Sequence, residues 1–152
     1  MSNSDFFQFE ADFVDSMRCI PMIVRMKLDT CGVKLKLAHW HQFSEEEHQI
    51  LVNLPCTTPQ EIQAYREYLQ NKVREKNGNP AKELTINPHP PWLNKQIIPG
   101  DIQEKAQEWD VSINQQQWQN LTPLQRFALI KLSRPSHENN NFYPALQEFD
   151  LI

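Results

Sequence analysis

Three glycines among 152 residues are too few for the tight turns on which strand-rich folds depend. Eleven prolines stand against them, so the balance favours helices joined by proline-stiffened connections. A cationic block is missing as well. Lysine and arginine total 15 against 19 acidic residues, and the formal charge is −4. Nucleic-acid affinity rests mainly on cation–phosphate contacts, so DNA or RNA binding is not expected. No apolar run reaches the roughly 20 residues needed to span a bilayer. The opening stretch, MSNSDFFQFEADF, carries Asp5, Glu10 and Asp12 where a signal peptide would be basic. These features predict a cytoplasmic protein that does not engage a membrane.

Cysteine is scarce too. Cys19, Cys31 and Cys56 make an odd number without a CxxC pair, which fits thiols kept reduced and buried. Gly-rich phosphate loops and dinucleotide fingerprints are lacking. What the chain does have is enough length for one real core, with 39% hydrophobic and 22% charged residues. The expected fold is all-α: a compact single-domain helical bundle built on two related helical units, with a Pro-rich connecting loop.

The two units emerge when the chain is compared with itself 78 positions on, the separation of Trp40 and Trp118. Ile20-Pro21 then falls on Ile98-Pro99, Val33 on Val111, Leu51 on Leu129 and Leu54 on Leu132. In the first unit, about 20–55, Pro21 suits the first turn of a helix and Gly32 its end. Val24, Leu28 and Cys31 form its apolar stripe. In the second, about 98–133, Asp101 with Glu104 reads as a capping box, and Ile102, Ala106 and Trp109 as the stripe. Each continues through a short alternating piece, VKL or VSI, to a short helical turn carrying its tryptophan. Ser44 with Glu47 and Thr122 with Gln125 cap the third helices. Ile50, Leu51 and Leu54 form one buried face there, and Leu124, Phe127, Ala128 and Leu132 the other.

Thr58-Pro59-x-Glu61 opens a further helix over 59–76, with Ile62, Tyr65, Leu69 and Val73 inward and Gly78 beyond its end. Residues 77–100 carry five prolines and no helical period, a stiff loop with Trp92 pinned to the core. After the polar stretch SHENNN, residues 142–152 return to apolar spacing as a docked terminal segment. Phe6, Phe9 and Phe13 form a similar segment at the start.

Cys31, His39, His41 and Cys56 are the strongest metal candidates, since thiolate and imidazole suit zinc, iron or copper. Ligand sets usually contain tight local pairs. The only one here, His39-x-His41, projects in two directions on a helix. Metal or iron–sulfur handling is therefore an alternative, and no cofactor is expected. A Cys–His nucleophile lacks an orienting third group. Glu45-Glu46-Glu47 at a helix start are favoured by the dipole and solvated. No catalytic residue and no small-molecule substrate are expected. Arg18, Arg25 and Lys27 cluster around the first helix, and with Trp40 they could form the rim and anchor of a protein interface.

The block FQFEADFVDSMRCIPMIVRMKLDTCGVKLKL, then W-x-x-F-S-x-E-E and LVNLPC-x-T, resembles the nitrate reductase-associated protein family of cyanobacteria. The likeness runs on through the helix at Pro59 to Glu148, Phe149 and Leu151. It implies a cytoplasmic, non-catalytic accessory protein of nitrate assimilation, which binds the assimilatory nitrate reductase or helps it mature. The molybdopterin and iron–sulfur cofactors would then belong to the partner. A nitrogen-responsive regulator is a second alternative. His48 stands where the family pattern is expected to carry arginine, which would matter if that arginine met the partner.

Overall fold

A computed structural model describes residues 6–11, 19–135 and 139–152. Among them are eight α-helices and one two-stranded ribbon, an all-α fold. The described chain divides into two compact units. One holds Phe6 and 19–87; the other holds Phe7–Ala11, 88–135 and 139–152. The repeat copies fall one in each.

In the first unit α1 spans Met22–Cys31, entered from Pro21 and closed by Gly32 in the left-handed region at φ 76°. A side chain at Gly32 would also collide with Ile86 and the Leu84 carbonyl, so glycine is required twice over. The chain then extends through β1, Val33–Lys34, which pairs antiparallel with β2, Lys82–Glu83. After it come α2, Leu37–Gln42, and α3, Glu45–Asn53, whose Ser44–Glu47 capping box forms as expected. The longest helix, α4, spans Pro59–Asn77 between the Thr58–Glu61 box and Gly78 at φ 81°. Its Tyr65, Leu69 and Val73 share one face and pack with Val24, Leu28, Cys31, Trp40 and Leu51. Buried Gln70 exchanges two hydrogen bonds with the Ala81 backbone, at 3.0 and 2.8 Å, and ties β2 to α4.

In the second unit α5 is Gly100–Gln107, α6 Gln115–Asn120, α7 Pro123–Ser133 and α8 Phe142–Glu148. Helix α7 is central and buried over almost its whole circumference, from Arg126 through Ile130 and again at Leu132. The 3-10 turn Pro91–Leu93 packs against it, with Trp92 edge-on to Phe127 at 5.0 Å. The Pro-rich loop thus holds its tryptophan inward as expected. Leu146 and Phe149 are likewise buried. The 3-10 turn Gln8–Glu10 docks on α8, where the Glu148 carboxylate accepts the Gln8 and Phe9 N–H groups. Phe9 lies edge-on to Phe149, and Phe13 falls outside the described residues.

Three local expectations are corrected, and the two copies differ at one link. Helix α5 begins one residue before Asp101, because the Pro99 carbonyl already accepts the Ile102 and Gln103 N–H groups. That helix also ends at Gln107, too early to carry Trp109 on its stripe. The indole is 37% exposed and stacks on Phe142 instead. Ile50 points outward at 40% exposure, and Val52 takes its place inside. The VSI link, unlike VKL, forms no strand. The Gln103 side-chain amide bonds both backbone groups of Ile113, a role that β2 plays for β1 in the first copy.

Candidate functional site

The two copies agree most closely around their tryptophans. Helices α2 and α6 have the same length, and each places its tryptophan in the core of its own unit. Eight residues after each tryptophan, on the following helix, comes a buried basic side chain: His48 behind Trp40 and Arg126 behind Trp118. His48 stacks on the Trp40 indole at 3.9 Å between centroids, and its Nε2 lies 2.7 Å from the Trp40 carbonyl oxygen. Arg126 places its guanidinium 5.9 Å over the Trp118 ring. It donates to the carbonyls of Trp118 at 3.3 Å, Leu121 at 2.6 Å and Trp92 at 2.7 Å. Each side chain therefore satisfies carbonyls at the open end of the short helix and clamps the tryptophan beneath it. His48 is thus engaged inside the core of its unit, and the arginine expected at this position would lie in the same surroundings.

Helix starts repeat the correspondence. His39 and Gln117 each occupy the third helical position, and each accepts the N–H of the residue before the helix. His39 Nδ1 lies 3.2 Å from the Lys36 nitrogen, and Gln117 Oε1 lies 2.9 Å from that of Asn114. Nδ1 can accept only while it is unprotonated. Burial, then the Lys36 charge, pulls the His39 pKa below its ordinary 6.5. His48 is also pulled down, mainly by burial and only partly offset by its bond to Trp40 and by Glu47.

A pH prediction follows with a definite sign. Both imidazoles bind a proton less readily when folded than when unfolded, where the pKa returns to about 6.5. Their contribution is complete above 6.5 and is lost as pH falls through the lower folded values. Urea midpoints should therefore drop on acidification from pH 7 through 6, before carboxylates begin to protonate. A His39→Gln, His48→Gln chain should lose most of that slope.

Of the residues expected at an interface, Arg18 lies outside the described ones. Arg25 is half-buried, with Nη1 3.9 Å from the Met22 sulfur. Lys27 reaches the end of α3 and donates to the carbonyls of Val52 at 2.6 Å and Leu54 at 2.8 Å. Its charge complements that helix terminus, so its role is internal. Trp40 is in the core and cannot serve as an exposed anchor. Large aromatic area and flanking polar residues are compatible with either location; the clamp decides for the inside.

The Cys/His set is not brought together. Cys31 and Cys56 share the first unit's core, His39 caps α2, and His41 is exposed. No three His, Cys, Asp or Glu side chains among the described residues are grouped to hold a metal ion. Burial lifts the Cys31 thiol to about 12, helped by Cys56, and lifts Cys56 to about 11. Both stay protonated near neutrality, the weaker form as nucleophile or ligand.

Sequence reasoning missed His48 and Arg126 as a pair, although the repeat register aligns them and exchanges one basic side chain for another. It also missed Lys34, Lys36 and Lys82, which β1–β2 pairing brings to one exposed ribbon. The alternation Val33-Lys34-Leu35-Lys36 was the available signal. No helix among the described residues is long and apolar enough to cross a membrane. The family described as conserved nitrate reductase-associated protein matches residues 6–149. No curated protein and no solved structure matches the chain.

Proposed function

The chain belongs to the conserved nitrate reductase-associated protein family, and from that membership we propose that it is a non-catalytic accessory protein that binds nitrate reductase or helps it mature. One observation carries the non-catalytic part. The side chains best suited to chemistry are engaged in holding the fold: Cys31 in a core, His39 on a helix start, His48 and Arg126 on tryptophans. The partner supplies cofactors and chemistry, and this chain supplies a surface. Arg25 and Arg18 remain partner-facing candidates in this reading, whereas Lys27 and Trp40 do not.

Affinity purification of the tagged chain from nitrate-grown cells tests the proposal. Recovery of nitrate reductase, together with reduced reductase activity in a deletion strain, is the expected result. Failure to recover it, with unchanged activity in the deletion strain, would refute the proposal.

A further inference from the structure

We propose that Lys34, Lys36 and Lys82 form the docking surface through which this chain meets an acidic patch on its protein partner. The inference deepens the accessory reading above and rests on it. Lys34 and Lys82 are direct cross-strand partners, so their side chains leave the same face of the ribbon. Lys36 follows Lys34 by two residues in extended backbone and shares that face about 7 Å further along. The alternating residues Val33 and Leu35 are buried, which fixes all three lysines outward.

Like charges placed directly opposite each other weaken a ribbon, and this ribbon has only two residues per strand. Opposite charge would relieve this repulsion, yet among the described residues no carboxylate pairs with these lysines. The neighbouring Glu83 carboxylate is paired with Arg66, and no described carboxylate bonds any of the three lysines. A chain of net charge −4 thus keeps three lysines together with no described carboxylate bonded to them. Charge complementarity selects an anionic partner surface.

Two apolar side chains point to protein rather than nucleic acid. Leu37, next to Lys36, is 40% exposed, and Ile86, lying against Gly32 just before β1, is 45% exposed. Apolar contacts with a charged rim are protein-interface composition. A polyanion would need a longer cationic track, on the order of 6–10 phosphate contacts.

Lys82→Glu separates docking from folding. It places a carboxylate opposite Lys34, so the melting temperature should hold or rise slightly while the patch loses most of its charge. Calorimetric titration of purified nitrate reductase should give at least about tenfold weaker binding for this variant, with Lys82→Arg retaining wild-type affinity. Raising salt from about 50 to about 300 mM should weaken the wild type more steeply than the variant. Equal binding by wild type and Lys82→Glu would overturn the surface assignment alone. Absence of wild-type binding would overturn the binding form of the accessory reading and this proposal with it. Lysines that only guard a strand edge predict self-association of Lys82→Gln with partner affinity unchanged, which would also overturn it. So would a short DNA duplex that competes for the wild-type surface.

Discussion

Arg126→Met should lower unfolding stability by about 3 kcal/mol, because two buried carbonyls and one half-buried carbonyl lose a charged donor at a cost of about 1–3 kcal/mol for each buried group, partly offset by the desolvation no longer incurred. The affected groups are the carbonyls of Trp92, Trp118 and Leu121, drawn from the Pro-rich loop and from either end of the clamp. Methionine matches the arginine stem in volume, so the loss reports hydrogen bonding more than a cavity. For a chain of this size the melting temperature should fall by roughly 6–12 °C. A denaturant titration with an unchanged slope would attribute the effect to the folded clamp. No change in midpoint would mean that the guanidinium is dispensable to the second unit.

Trp40→Ala should cost about 3–5 kcal/mol, the range for truncating a large buried aromatic side chain. Trp40 is enclosed by Phe43 and the stacked imidazole of His48, so truncation opens a cavity and removes the aromatic pairing. The prediction also discriminates between two placements of this residue. An exposed interface anchor would leave the unfolding midpoint intact and reduce only partner binding. A core residue lowers the midpoint in the absence of any partner, and Trp40→Phe, which refills part of the cavity, should recover a portion of it.

What could be read from the sequence follows the range of the interactions involved. The Ser44–Glu47, Thr58–Glu61 and Thr122–Gln125 boxes close within three residues, so their residues announce them directly. The stops at Gly32 and Gly78 are equally local. The start of α5 differed because a proline carbonyl upstream captured the first N–H groups, leaving Asp101 inside the first turn, where its charge still favours the helix. Roles set by distant partners were hidden. Lys27 looks like a surface cation until α3 presents its terminal carbonyls 25 residues later. Trp40 sits between two histidines, which gives its surroundings a surface character, and the second helix behind it decides its burial. The lysine ribbon depends on the pairing of residues 33–34 with 82–83, which no local pattern specifies. The all-α class was legible because it is written in many caps and stripes at once; the proposed docking ribbon was not.

The central claim is that this chain serves nitrate reductase by contact, with no thiol needed at the contact. Titrating purified nitrate reductase with the wild-type chain and with a Cys19→Ala, Cys31→Ala, Cys56→Ala chain tests it most directly. The account predicts a saturable complex with the same dissociation constant for both, provided the thiol-free chain still unfolds cooperatively. A wild-type complex that disappears in a folded thiol-free chain would contradict it, placing a sulfur at the working site.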